Sequence, residues 1–463
     1  MGISRRTLDY CPVLLATSMD TLFILPDNNN EQILFCETSN CLPSYFEQVG
    51  ENTAFDSPQI YNDYFGEITG IPVYRRYTFN TQKYVVFVFE QINDCVSPTN
   101  GFGWMTYDSF AAANSNEEIK QIVKSVWRFY NTSANMPWVN KDGFTPYFKW
   151  LHAVCEANDI RINGKITQVK NAYVSNVFCV PTSTGNMYMK TPGKIYITEL
   201  PFTHELRKLD IVDLPKWIDF DLDMNVVLMS DMGGNDLPSD SDTDTFKEVI
   251  LRYAKIQKDS IAHIPLDFTH YDNSVATILD KLRTFPAKSY EILKGTSYEL
   301  SKVELDILAE QVQTAISLYK SMSHIPSTIH GGDVRPGNIR VVDGNYIFYD
   351  WAWGAIAHPF VEIVSFLHIV RRSLPDEHAS EMLIDAYLQE WLDHGSFSDL
   401  KHAFSVLATL KDLFFAIVDY DWLEAIVQSC GNSIDYMSAD GWLLDRRSYY
   451  FANVLRRFIA TQL

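Results

Sequence analysis

The sequence predicts an α+β protein, rich in short strands up to about residue 234 and largely helical beyond it. Three observations lead there. Short β-branched and aromatic runs alternate with turn residues through the amino-terminal half of the chain. From about residue 245 the apolar residues recur at helical spacing. A single hairpin interrupts that helical stretch: Ile339-Arg340-Val341-Val342 and Tyr346-Ile347-Phe348-Tyr349 flank Asp343-Gly344-Asn345, which suits a tight turn.

Taken in order, strand-like runs fall at Val13 to Ala16, Leu22 to Leu25, Gln32 to Phe35, Val73 to Phe79 and Tyr84 to Phe89, with one helix over Ser57 to Ile68. Gly103-Trp104-Met105-Thr106 follows another strand. These features define a first domain, residues 1–120. A connector, 121–160, carries Asn135-Met136-Pro137-Trp138 and a helix from Phe148 to Ala157. Residues 161–234 read as a β lobe, with strands over Ala172 to Val180 and Met187 to Lys190 broken by Pro181-Thr182-Ser183-Thr184-Gly185. Phe202, Leu206 and Leu209 mark one stripe of a helix from Glu199 to Leu209. Asn225 to Gly234 is an apolar strand running into a turn.

Residues 235–463 form the helical lobe. Thr245 and Glu248 suit a capping box for a helix whose face carries Val249, Ile250, Tyr253 and Ile256. Further helices are expected at about 301–323, 361–372, 379–394, 400–420 and 444–463.

Length and composition narrow the function classes. A chain of 463 residues suggests two or three domains with a large core. Its net charge of −20 argues against nucleic acid or an anionic membrane as partner. The seven cysteines are odd in number, dispersed and without metal-ligand spacing, which favours a reducing compartment, most simply the cytoplasm. No apolar run of about 18 residues or more suggests a membrane span, and no signal-peptide pattern follows Met1.

The chemistry concentrates in His330-Gly331-Gly332-Asp333-Val334-Arg335-Pro336-Gly337-Asn338, followed by Asp350-Trp351. Asp333 and Asn338 lie five residues apart in a loop tightened by Pro336 and Gly337. This spacing offers a base that orients a hydroxyl and then a magnesium ligand. Pairing the hairpin strands brings Asn338, before the first, close to Asp350, after the second. Magnesium favours oxygen ligands and takes few protein carboxylates, so an amide and a carboxylate suit it.

This segment resembles the catalytic core of the aminoglycoside phosphotransferase and choline kinase group, in which the loop reads His-Gly-Asp-x-x-Pro-x-Asn and a later carboxylate ends an Ile-Asp-Trp-like strand. The resemblance implies a bilobal protein-kinase-like fold with a small β-rich lobe and a large helical one. It implies a magnesium-dependent kinase that transfers the γ-phosphate of ATP, with GTP not excluded, to a small hydroxylated molecule. Asp333 then serves as base, Asn338 and Asp350 as metal ligands, and Arg335 stands where protein kinases often carry a basic residue that meets the transferred phosphate. One departure is the extra glycine, which puts His330 three residues before Asp333.

In the β lobe, Lys190 stands where such kinases place the lysine that meets the nucleotide phosphates. Glu199 and Glu205 compete as its carboxylate partner, and the resemblance favours Glu199. The strand carrying Met229 and Asp231 resembles the hinge that presents backbone groups to adenine. His358-Pro359-Phe360-Val361-Glu362 resembles the family's Gly-Asp-Pro-x-x-Asp stretch; His358 reads as a structural histidine. The other reading is a nucleotide-binding pseudokinase acting as sensor or scaffold.

The first domain resembles a Nudix hydrolase, but with its box aligned on Gly70-Ile71 only Glu67 is in place; Asp63, Tyr64 and Ile68 occupy other key positions. Gathering magnesium around a diphosphate needs several carboxylates. This domain therefore reads as a binding, regulatory or dimerising module, the candidate surface for a homodimer.

Overall fold

The computed structural model describes residues 20–26, 32–36, 58–81, 83–92, 96–129, 135–140, 142–194, 198–210, 213–263, 272–430 and 439–461. The chain divides into two compact units. One comprises Met1–Ile195, Trp217–Asp231 and Ile426–Asp445; the other comprises Tyr196–Lys216, Met232–Ala425 and Arg446–Leu463. The first is rich in strands and the second in helices, the α+β division expected of a protein-kinase-like fold. Among the described residues no helix is long and apolar enough to cross a membrane.

The first unit begins with β1 (Asp20–Ile24), β2 (Gln32–Cys36), α1 (Pro58–Thr69), β3 (Val73–Asn80), β4 (Tyr84–Gln91) and β5 (Phe102–Thr106). The strand expected at Val13 to Ala16 lies outside the described residues. β4 is central in the order β1-β4-β3 and runs parallel to β1, while β2 pairs with β5. Side chains alternate across a strand, and β4 uses both faces. Val85, Phe87 and Phe89 join Phe23 against Tyr61 and Phe65 of α1, with Tyr61 stacked 4.7 Å from Phe87. Val86 and Val88 enter a second core.

That second core continues without a break into the next elements. α2 (Tyr107–Ala113) and α3 (Glu117–Phe129) lead to α4 (Thr145–Ala157) and a five-stranded antiparallel sheet. The sheet contains β6 (Thr167–Ala172), β7 (Ser175–Thr182), β8 (Gly185–Pro192), β9 (Trp217–Asp221) and β10 (Val226–Ser230), in the order β6-β7-β8-β10-β9. Tyr74, Phe144, Phe148 and Phe178 form an aromatic cluster in which Phe178 meets each of the others edge-on. Phe178, Val180, Met187, Met189, Val226 and Leu228 supply the contribution of the sheet.

A buried polar network also binds β3 to β6. Gln168 Oε1 accepts from Arg75 N at 2.9 Å and Gln168 Nε2 donates to Arg75 O at 2.8 Å. Asn171 Oδ1 accepts from Arg75 Nε at 3.0 Å and Asn171 Nδ2 donates to Arg76 O at 3.0 Å. The Arg75 side chain is fully buried over the Phe87 ring. Burying a guanidinium is costly unless its donors find partners; Nε has one in Asn171 Oδ1, and Nη2 lies 3.5 Å from the Asn171 backbone oxygen.

The second unit contains α5 (Glu199–Leu209), β11 (Asn235–Asp236), α6 (Thr243–Ile261), β12 (Asp272–Asn273), α7 (Val275–Leu282), α8 (Phe285–Leu293) and α9 (Lys302–Ser321). It continues with β13 (Thr328–His330), β14 (Ile339–Val342), β15 (Asn345–Phe348), β16 (Ala355–Ala357), α10 (Phe360–Val370) and α11 (Glu377–Gln389). Most of α12 (Phe397–Cys430) and of α13 (Ala439–Ala460) completes it. β14 and β15 form the expected hairpin, and β11 adds to its edge. Gly234 makes that addition feasible, because at φ +60° a Cβ there would lie 1.9 Å from Val341 O.

Several boundaries differ from the sequence expectations, each for a local reason. The strand expected over Ala172 to Val180 is two strands, because Ala172 and Ser175 close a tight hairpin. α6 starts earlier than a Thr245/Glu248 box would place it: Asp242 is the cap, its carboxylate accepting from Thr245 N at 2.8 Å. α12 runs past Tyr420 because Leu423 and Ile426 continue its buried face.

Candidate active site

The candidate site is assembled where β13 ends. Three backbone N–H groups beyond His330 turn into the core of the second unit. Gly331 N donates to the Tyr253 hydroxyl at 3.0 Å, and Gly332 N and Val334 N donate to the two carboxylate oxygens of Glu362 at 2.8 and 3.0 Å. Glu362, in the first turn of α10, is fully buried; it also accepts from the Tyr253 hydroxyl at 3.3 Å. His330 Nδ1 lies 2.9 Å from Glu362 Oε2. Burial pushes this carboxyl up, but His330 and the two N–H groups more than offset it and hold it below its usual range.

Gly332 has φ +80°, and a Cβ there would come within 2.2 Å of Trp353 Cβ. The second glycine thus gives the loop a left-handed residue that no other side chain could fill. His330 remains in β13, opposite Ala355 of β16, despite its extra distance from Asp333.

After Asp333 the chain tightens through the short helical turn Pro336–Asn338. Asn338 Nδ2 donates to the backbone oxygen of Asp333 at 2.8 Å and to Asp333 Oδ2 at 2.9 Å. Arg335 Nε donates to the same Oδ2 at 3.0 Å. Hairpin pairing continues past Ile339 and Phe348, with Tyr349 N donating to Asn338 O at 3.1 Å, so Asp350 follows directly on the residue bonded to Asn338. Tyr349 fastens the hairpin base: its hydroxyl, with one proton to share, lies 2.6 Å from Gly337 O and 3.0 Å from Asp236 Oδ1. Asp350 itself takes φ +63°, a conformation that Asp tolerates better than most residues.

The electrostatics agree with this clustering. Burial raises the Asp333 carboxyl to about 6; Arg335 and Asn338 oppose the rise, and the negative charges of Asp350 and Glu362 add to it. Because its Nδ2 is committed to Asp333, Asn338 is left with an amide oxygen for any other partner. An amide oxygen and two mutually repelling carboxylates match a hard divalent cation.

No family model matches the sequence, and no curated protein matches it. The chain is similar in fold to solved small-molecule kinases. A choline kinase from Cryptosporidium parvum is 13% identical over 68% of this chain and 95% of its own, with a TM-score of 0.45. An aminoglycoside 2'-phosphotransferase-IIIa in complex with GDP is 14% identical, over 68% and 99%, at 0.46. An ethanolamine kinase from Plasmodium vivax is 13% identical, over 73% and 95%, at 0.43.

Beyond Asp350 the chain is held by aromatic packing. Trp351 donates to Phe348 O at 3.0 Å and stacks on Phe202 of α5, while a Cβ on Gly354 would strike the Phe202 ring at 2.3 Å. Trp353 meets Trp422 of α12, over which lies the guanidinium of Arg447, itself 3.5 Å from buried Asp419. His358 is a structural residue: its Nδ1 accepts from Phe360 N at 3.3 Å, and burial drives its pKa down to about 3, leaving it neutral.

The remaining candidates occupy two places. In the first unit, Lys190 pairs with Val227 and Met229 pairs with Tyr188 on adjacent strands, so Lys190 and Met229 share one face of the sheet. This is the face turned away from the core that Met187, Met189, Val226 and Leu228 enter. Lys190 is buried, whereas Asp231 is exposed and its N–H is already directed to Asn186 O at 3.2 Å. In the second unit, Glu199 is buried at the start of α5, while Glu205 forms a surface ion pair with Lys208. In the sequence Tyr253 marks only a helix face and Glu362 only stands in for an acid of the Gly-Asp-Pro-x-x-Asp stretch; the structure shows that both hold the loop.

Proposed function

We propose that the chain is a magnesium-dependent phosphotransferase that uses ATP, or GTP, to phosphorylate a hydroxyl of a small molecule. The observation that carries this reading is the Asn338 bond to Asp333, made at the base of a hairpin that ends in Asp350.

Asp333 orients the acceptor hydroxyl and takes its proton. The hydroxyl oxygen forms a bond to the γ-phosphorus, the bond from that phosphorus to the β–γ bridging oxygen breaks, and the nucleoside diphosphate leaves with its electron pair. Arg335 meets the transferred phosphate, Lys190 the nucleotide phosphates with Glu199 as its partner, and the segment of Met229 and Asp231, where β10 ends, the base. Asn338 and Asp350 are the groups that would hold magnesium, which when bound neutralises charge on the phosphates. The catalysis asked of this chain is positioning and electrostatic stabilisation.

Trp353, against Gly332 and paired with Trp422, supplies an aromatic wall beside the loop for the acceptor. The amino-terminal segment, in this reading, is a binding, regulatory or dimerising module in a cytoplasmic protein. Asp63, one of the positions in the aligned box, pairs with Lys165 at 2.7 Å.

The test is magnesium-dependent nucleotide turnover against a panel of hydroxylated metabolites. Turnover that disappears in Asp333→Ala and in Asp350→Asn, which suits the left-handed backbone at that position, supports the reading. Nucleotide binding without turnover on any acceptor would favour a pseudokinase.

A further inference from the structure

The loop before Asp333 carries one more residue than the pattern it resembles, and every added residue brings a backbone N–H. Buried N–H groups need acceptors. Glu362 receives Gly332 N and Val334 N, and the third inward N–H, from Gly331, goes to Tyr253 of α6.

We infer that Tyr253 is a positioning residue for Asp333, its hydroxyl taking the N–H that the additional glycine introduces and relaying that bond to Glu362. This rests on the phosphotransferase reading above. The hydroxyl suits the task because it accepts and donates at once. It accepts from Gly331 N at 3.0 Å and donates to Glu362 at 3.3 Å, while the same ring lies 5.3 Å from Phe348, two residues before Asp350. One fully buried side chain therefore touches both the strand exit that leads to the base and the hairpin arm that leads to the metal ligand.

Tyr253→Phe keeps the ring and removes the relay. Amide exchange in the peptide spanning Gly331 to Val334 is expected to quicken. kcat is expected to fall about tenfold or more with the nucleotide KM little changed, since a small misplacement of a reacting group is costly. Deleting Gly331 in the Tyr253→Phe protein removes the orphaned N–H and should restore some of the lost kcat. Tyr319→Phe, which removes another buried hydroxyl that has no partner, should change neither readout.

Unchanged exchange, or faster exchange with kcat intact, would overturn the inference. Exchange is read on the protein without substrate. A wild type that phosphorylates nothing would thus defeat the phosphotransferase reading, while faster exchange in Tyr253→Phe would still support the loop contact.

Discussion

Asn338 binds Asp333 twice through one nitrogen, at the backbone oxygen and at Oδ2, so the aim of the carboxylate and the turn of the amide are set together. Asn338→Leu removes both bonds and the amide oxygen. Turnover should fall by about a hundredfold or more, in line with misplacing a reacting group, while the melting temperature moves by only a few degrees. Steady-state rates paired with thermal melts check this.

Asp333 should titrate near pH 6 in the metal-free protein. A carboxyl raised above its unfolded value of about 3.9 binds its proton more tightly in the fold, so this group removes stability as pH rises from about 4 to 6. Turnover moves the opposite way, being lost in acid as the base protonates. Arg335→Ala should raise the midpoint and Asp350→Asn should lower it, because the guanidinium opposes the shift and the second carboxylate adds to it. Carboxyl-carbon NMR titration of the three proteins reads these directions.

Gly332→Ala combines a left-handed backbone with a clash against Trp353 Cβ. We expect a stability loss of about 2 kcal/mol or more and severe loss of turnover. Gly344→Ala, at the same φ but with open space around it, should cost only about 1 kcal/mol. Urea denaturation of the two separates clash from strain.

Arg447→Ala strips the guanidinium from buried Asp419, whose carboxyl burial already raises to about 6. Arg447 holds that value down, so its loss moves the midpoint higher; above it a buried charge is left facing Arg457 alone, at a cost of about 3 kcal/mol. Below it the carboxyl protonates and the penalty shrinks. Denaturation midpoints at pH 7.5 and pH 5 should therefore differ more from wild type at the higher pH.

Asn171→Ala leaves Arg75 Nε and the Arg76 backbone oxygen without their buried partner. A loss of about 2 kcal/mol is expected, with β3 and β6 losing amide protection together. If β6 stayed protected while β3 opened, the network would not be joining them.

The proposed trio of Asp333, Asn338 and Asp350 could be picked out of the sequence because the hairpin that spaces it is local. A hairpin with a two-strand register and an Asp-x-x-Pro-x-Asn turn specify each other within about twenty residues, and the helix from Glu199 to Leu209 was likewise visible in its own stripe. What the sequence concealed depends on distance along the chain. Tyr253 lies 78 residues from Gly331 and Arg75 lies 96 from Asn171, and no periodicity announces a partner so far away. α2, α3, α7 and α8 were also missed. Pro286 reads as a breaker yet sits in the first turn of α8, where its missing N–H costs nothing. Thr106 ends a strand and caps α2 at once, accepting from Ser109 N.

The left-handed backbone at Asp350 decides which inactive form of the protein is worth making. Asparagine is as comfortable there as aspartate, so Asp350→Asn removes a charge without asking the chain to move, whereas alanine or glutamate would disturb the fold they were meant to report on. A folded protein disarmed in this way would serve as bait: in the proposed reading it leaves its acceptor unconsumed, so that a bound alcohol could be fished out and weighed.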